Sequence, residues 1–572
     1  MRTFKTIIAA EVSSLLNEVS VEELLALIEY PSNKEQGDLS LPCFKLSRQL
    51  RKAPQAIAED LKNRLQLEGV ERIEASAGYL NFYLNKAHVA ESVVAGILQQ
   101  GELYGAQNIG SGKTVVIDYS SPNIAKPFHI AHLRSTVIGN ALYRIHDFLG
   151  YACVGINHLG DWGTQFGKLI VAYRMWGDEA AIEEDGIDEL LRLYVKFHDE
   201  ADKDAGLNDE ARAWFAKMEQ GDAEALSLWQ WFVDISLIAF NRIYELLGIT
   251  FDTYTGESFY NDKTAPVVEE LKAKGLLEED SGAWLVRLDG FGMSPALILK
   301  QDGSSLYHTR DIAAAMYRKT TYDFDKAIYV TDYAQNLHFQ QWFKVVELMG
   351  HEWAGDLVHV AFGRVSLDGM SLSTRKGNVV KLDEVLKQSI AKTKAIMEQR
   401  HQGMEHLDET ARQVGVGAVI FHDLSTNRIK DIAFSWDEML NFEGETGPYV
   451  QYAHARASSI LAKAGAAASM TNEQAQQRAA LLIDEASNPL LQELSLFGER
   501  VELAMHKLEP SIVTRYLIDV AQAFNRFYHE CPILLDHVPA PLREARLALV
   551  RCVQTVLRNG LRLIGLEAPE QI

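Results

Sequence analysis

The chain has 572 residues, of which 47% are hydrophobic, 23% charged and 9% aromatic, and its formal net charge is −22. About 150 residues per domain predicts roughly four domains, and aromatics spread from end to end without low-complexity tracts exclude wholesale disorder. As read from the sequence, no apolar run reaches about 18 residues, which excludes an ordinary transmembrane helix, and the apolar stretch near Met1 is too short for an export signal. Cys43, Cys153, Cys531 and Cys552 stand far apart with no C-x-x-C pair, which excludes a thiolate zinc cluster and predicts a reducing, cytoplasmic setting.

The charge alone argues against a nucleic-acid partner, because phosphates favour clustered lysine and arginine. Its distribution removes that argument. Residues 171–280 hold ten lysines and arginines against 26 aspartates and glutamates, a net of −16, whereas 111–170 is +2 and 501–572 is neutral. The acidic segment, with Glu183-Glu184-Asp185 and Asp199-Glu200, reads as a separately solvated helical region.

In chain order, residues 1–110 read as a small α/β unit. Helical spacing from Val21 leads through a loop at Tyr30-Pro31 and Gly37-Asp38 to a second helix, then to the alternating strand Tyr79–Leu84. Gly105 and Gly110-Ser-Gly-Lys113 read as a linker. Residues 114–120 are short, apolar and β-branched, which predicts a buried parallel strand. A loop at Ser121-Pro122-Asn123 follows, then helical spacing from His132 to Phe148, a stop at Gly150, and a strand from Tyr151. That strand–loop–helix–strand unit is the building block of a doubly wound parallel sheet. Strand character resumes at Lys326–Val330, so the acidic segment, about 171–290, is an insertion between two halves of one sheet. From about 441 the strand signal disappears, and long helical patterns such as 449–462 and 545–564 predict an all-α bundle. The domains expected are thus 1–110, 111–440 and 441–572.

Two stretches carry chemistry. In Ser121-Pro-Asn-Ile-Ala-Lys126-Pro-Phe-His129-Ile-Ala-His132, two histidines three apart open a helix and share a face. There the helix dipole and free N–H groups favour phosphate, and imidazoles can donate to phosphoryl oxygens. Ordinary surface histidines are the competing reading; a metal pair lacks a third ligand nearby. The second stretch, Ser371-Leu-Ser-Thr-Arg375-Lys376-Gly377-Asn378, suits a phosphate clamp, or is a solvated basic turn.

Residues 118–140, the run Asn157-His-Leu-Gly-Asp-Trp-Gly-Thr-Gln-Phe-Gly, Gly447-Pro-Tyr-Val-Gln-Tyr-Ala-His-Ala-Arg, and the end of the chain from Glu544 resemble the bacterial type of class I arginyl-tRNA synthetases over essentially the whole length. The resemblance implies a Rossmann-type catalytic domain, an amino-terminal RNA-binding domain and a helical anticodon-binding domain. It implies ATP-dependent activation of L-arginine and transfer to tRNA(Arg), with tRNA needed for activation itself. Mg²⁺ would arrive with ATP without a tightly bound metal, and the enzyme would act as a cytoplasmic monomer away from membranes. His129 and His132 fall on the histidines of the family's HIGH motif, with Ala131 where glycine is usual. The KMSKS pattern falls on Ser371–Arg375 and lacks both lysines; arginyl enzymes without them carry a lysine before HIGH, here Lys126. Lys126, His129, His132, Arg375 and Lys376 are therefore assigned to ATP.

An arginine guanidinium is a planar, permanently charged fork best met by carboxylates. Asp118 ends the first strand, and Asp311 lies four residues after Tyr307, on one face if that stretch is helical. By themselves both acids could equally be structural, Asp118 at a strand end and Asp311 in a first helical turn. Matching to the family places Asp118, Asn123, Tyr307, Asp311 and Gln335 in the arginine site. Tyr449, Tyr452, His454, Arg456, Phe524, Phe527 and Tyr528 are candidates for reading anticodon bases, or else core residues of the bundle. A non-catalytic tRNA-binding paralogue and a small nucleotidylyltransferase are the alternatives; the second leaves the two terminal domains unexplained.

Overall fold

The computed structural model describes residues 1–301, 303–367, 370–371, 380–400 and 405–572. Arg375 and Lys376 lie outside the described residues.

The amino-terminal unit is a three-stranded antiparallel sheet, β1 (Leu39–Pro42), β2 (Val70–Ser76) and β3 (Tyr79–Leu84), with β3 central. Leu80, Phe82 and Leu84 point into its core, as the period-two pattern of β3 predicts. Its first helix, Arg2–Leu16, docks on the carboxy-terminal bundle through Arg2–Glu502 (2.7 Å) and Lys5–Glu499 (3.1 Å). The stretch read as a linker is packed: a Cβ at Gly110 would stand 2.4 Å from the Gly150 carbonyl oxygen.

The main sheet is parallel, built from β4 (Thr114–Asp118), β5 (Ala152–Ile156), β6 (Lys326–Asp332) and β7 (Leu357–Phe362) in the order β7-β6-β4-β5. Val115, Val116 and Ile117 are buried, which is why β4 reads as a continuous apolar run and not as an alternation. Helix α1 (Ile130–Phe148) connects β4 to β5, and the chain returns to the other side of β4 as β6. The strand order therefore reverses at β4/β6, and it is outside the carboxyl ends of the strands at such a point that open parallel sheets bind ligands.

The acidic insertion differs from expectation in two ways. It is not purely helical, because Glu278–Asp280 and Ala283–Val286 pair antiparallel, in a sheet that Ala296–Leu299, just beyond the expected limit, completes. Nor is it separately solvated. Glu183, Glu184 and Asp185 are exposed, but α2 (Ile187–Ala201) and α3 (Ala223–Leu247) join the main core through Leu190, Phe197, Phe232 and Phe240. Net charge describes the outer face; the inner face of the same helices is apolar. Helix α3 is also long and apolar enough to cross a membrane by length and composition, which the sequence reading missed. Here it backs the loop that leaves β4.

Before β7, α4 (Tyr307–Tyr322) and α5 (Asn336–Leu348) flank β6 in sequence, and after β7 come α6 (Leu382–Arg400) and α7 (Leu407–Leu424). Beyond residue 441 the described chain is helical, including α8 (Gly447–Ala464), α9 (Ser511–Glu530) and α10 (Ala540–Leu563).

Candidate active site

The loop leaving β4 is held against its own conformational preference. Ser120, Ser121 and Ala125 have φ of 69°, 48° and 59°, the left-handed region that costs an L-residue energy. The cost is offset by bonds from three directions. The Ser120 N–H donates to Ser135 Oγ (2.9 Å), and Ser120 Oγ shares a hydrogen bond with Tyr244 of α3 (2.8 Å). The Ser121 N–H donates to Asn157 Oδ1 (3.1 Å) and the Ala125 N–H to Ser236 Oγ of α3 (2.9 Å). The insertion thereby sets the shape of the loop.

His129 is the N-cap of α1, and the rings of His129 and His132 stack with centroids 3.6 Å apart. The backbone N–H of His129 donates to His132 Nδ1 (3.3 Å), so the proton of a neutral His132 sits on Nε2. Burial, reinforced by Lys126, pushes His129 down to about 4, and burial with its neighbours holds His132 well below the usual imidazole range. Both rings are neutral donors at pH 7. Lys126, its pKa lowered by burial, makes no ion pair among the described residues and lies 5.6 Å over the Tyr194 ring. An ammonium beside a helix N-terminus favours anions there. Residues 380–382 pack against the start of α1: the Ile130 N–H donates to Val380 O (3.1 Å) and the Leu382 N–H to Phe128 O (2.9 Å), while Lys381 pairs with Asp188 of the insertion (2.8 Å).

The other side of the crevice is acidic. Asp118 is buried, with Oδ2 paired to Arg318 of α4 (2.8 Å) and Oδ1 accepting from the Ser121 hydroxyl (2.9 Å). Its charge is thus already matched within the protein. Tyr307 and Asp311 do lie on one helix, α4, with Tyr307 66% exposed. Asp311 Oδ2 accepts from His338 Nε2 of α5 (2.5 Å). Gln335 is exposed at the N-cap of α5, and Asn123 is exposed in the β4 loop, where a Cβ on Gly160 would stand 2.1 Å from its Oδ1.

Sequence reasoning missed three residues here: Arg318, His338 and Glu257. The Glu257 carboxyl is pushed up to about 7 by burial; Arg310, 3.7 Å away, pulls it down and the charges of Asp311 and Asp161 push it further up. Glu257 was hidden among the acids of the insertion, and no local pattern marks it.

On the helical domain, Arg456 lies over Tyr452 (4.8 Å) and Tyr528 (5.2 Å), and Asn525 donates to the Tyr449 hydroxyl (2.8 Å). His454, Phe524 and Phe527 are buried, His454 Nδ1 lying 2.9 Å from the Pro569 carbonyl oxygen; for these three the core reading holds.

The family profile described as tRNA synthetases class I (R), catalytic domain, matches residues 93–436, with an arginyl tRNA synthetase N terminal domain over 2–84 and a DALR anticodon binding domain over 450–572. An arginine–tRNA ligase of Alkaliphilus metalliredigens (strain QYMF) is 53% identical over 573 residues, and one of Clostridioides difficile (strain 630) is 52% identical, each match covering both chains fully. The arginyl-tRNA synthetase of Thermus thermophilus superimposes with a TM-score of 0.83 at 26% identity over all of both chains. A Mycobacterium tuberculosis methionyl-tRNA synthetase shares the fold alone, at 13% identity and a TM-score of 0.52 over 80% of this chain and 92% of that one. Whole-chain identity above half, three domain profiles in order, and a stacked histidine pair at the start of the helix after β4 agree: the chain belongs to the class I arginyl-tRNA synthetase family.

Proposed function

We propose that this chain ligates L-arginine to tRNA(Arg) using ATP, by way of an arginyl adenylate. What supports the reading is a separation of charge: Lys126, without an ion-pair partner among the described residues, stands beside two neutral histidines, whereas Asp311 and Glu257 neighbour each other elsewhere. ATP brings four negative charges to the first side and arginine a permanent cation to the second. The arginine carboxylate attacks the α-phosphorus in line and pyrophosphate leaves, with positioning and charge stabilisation supplying the rate. His129 and His132 donate N–H groups to phosphoryl oxygens. Lys126 supplies the main positive charge, with Arg375 and Lys376 assisting from the second loop.

Asp311 receives the guanidinium, with Glu257 as a second carboxylate whose proton the incoming cation displaces. Tyr307 packs along the side chain, and Asn123 and Gln335 make polar contacts. Asp118, already shared with Arg318, retains lone pairs for the substrate ammonium. Mg²⁺ bound to ATP would supply charge neutralisation at the phosphates. No three His, Cys, Asp or Glu side chains converge among the described residues in a way that would cage it.

The ribose hydroxyl of the terminal adenosine then attacks the mixed anhydride. Tyr452, Arg456 and Tyr528 form the stacking surface for anticodon bases. Domain limits at 1–110, 111–440 and 441–572, a cytoplasmic location and a monomeric state complete the proposal. Charging of labelled arginine onto tRNA(Arg) tests it: arginine must be taken up with release of AMP, and its absence from the tRNA under saturating ATP rejects the reading.

A further inference from the structure

Asp311 is not a free carboxylate waiting for substrate. Its Oδ2 accepts from His338 Nε2 at 2.5 Å, and both side chains are about one-quarter exposed, at the crevice wall. The ring of His338 is itself braced. The His308 ring lies 4.5 Å away, with Nδ1 3.1 Å from the Leu297 carbonyl oxygen and Nε2 3.2 Å from Gln341 Oε1. Gln341 cannot turn, because its Nε2 donates to the Ser294 carbonyl (2.8 Å) and hydroxyl (3.0 Å). Phe339 closes the other side with an edge contact at 5.7 Å. The start of α5 is fixed as well, since Asp332 at the end of β6 accepts the Ala334 N–H (2.7 Å).

We infer that His338 is a positioning residue for arginine selection: its Nε2–H orients Asp311 so that the remaining oxygen and lone pairs meet the guanidinium. The inference rests on the proposal that Asp311 receives that group. A carboxylate held in one orientation loses less side-chain freedom when the fork docks, and bidentate pairing demands a defined carboxylate plane. His338 and Gln335 stand three residues apart at the start of α5, so one helix start carries both the brace and a polar contact for the same substrate.

The test compares His338→Ala, His338→Gln and Asp311→Asn in steady-state arginylation by the full chain with tRNA present. Glutamine places an N–H near the position of Nε2. His338→Ala raises the arginine KM about ten-fold, the effect of losing one hydrogen bond to a charged group, with kcat and the ATP KM within about two-fold of the parent. His338→Gln restores the arginine KM to within about three-fold. The inference is overturned if Asp311→Asn raises the arginine KM while His338→Ala does not. It is also overturned if glutamine fails to rescue, or if all parameters and the melting temperature fall together. If Asp311→Asn itself leaves the arginine KM unmoved, the assignment of Asp311 fails instead.

Discussion

The two sides of the crevice solve opposite electrostatic problems by opposite means. On the β4–α1 side the charge present is small: two neutral imidazoles, a helix N-terminus and one partly desolvated ammonium. On the α4–α5 side several ionisable groups crowd together, and one carboxyl, Glu257, is poised near neutrality. Binding a polyanion needs donors that do not repel one another when the site is empty, and neutral histidines meet that need. Binding a cation that cannot lose its proton needs acids, and burial, with a smaller push from Asp311 and Asp161, raises the Glu257 carboxyl so that it can hold its proton until a cation arrives. The lesson is that local charge in the empty site, not the overall −22, indicates which substrate group goes where.

Four changes break or sharpen this contrast, in descending order of effect. Lys126→Ala removes the ammonium beside the histidine pair, and kcat for pyrophosphate exchange should fall about 100- to 1,000-fold, in the range for losing one preorganised electrostatic group. Arginine affinity, read by calorimetry, should stay within about two-fold. Equal loss of both would place Lys126 outside the phosphate side. Asp311→Asn should raise the arginine KM about 30- to 100-fold while leaving the ATP KM nearly unchanged, as expected when one partner of a charged pair is removed.

The pH dependence should also split. With Glu257 at about 7, its carboxyl is increasingly neutral as pH falls from 8 to 6, and the neutral form does not attract a guanidinium. The arginine KM should therefore rise toward low pH, by at most about ten-fold per unit, and Glu257→Gln should flatten that rise at the weaker level. His129, at about 4, stays neutral across the same window, so its protonation adds no pH dependence to the ATP KM. The smallest effect is expected for Gly160→Ala. Its methyl group would stand 2.1 Å from Asn123 Oδ1, displacing that side chain and raising the arginine KM by about three-fold, the scale of a single neutral hydrogen bond.

What could be read from the sequence was what is local. The β-branched run 115–117, the loop and the histidines three apart sit within about one strand and one helical turn, so composition and spacing suffice to place β4, α1 and the paired rings. Tyr307 and Asp311 likewise share α4 because four residues make one turn. Pairings across the chain were not legible. Asp118 and Arg318 are separated by 200 residues and meet only when α4 packs over the sheet. Glu257 and His338 reach the pocket from an insertion and from a separate helix. The acidic segment was misread because charge counting weighs the outer face of α2 and α3, whereas Phe197, Phe232 and Phe240 decide where those helices lie. His454, Phe524 and Phe527 failed as base-reading candidates for a related reason: residue type does not tell which face of a bundle helix is inward.

The most direct test of the divided crevice is arginine-dependent exchange of labelled pyrophosphate into ATP, measured with and without tRNA(Arg) and with the neutral isostere citrulline in place of arginine. The account predicts exchange that requires arginine, increases when tRNA(Arg) is added, and falls at least about 100-fold with citrulline, because unpaired acids in the pocket are costly. Exchange that proceeds equally well with citrulline, or no exchange under any of these conditions, would contradict it.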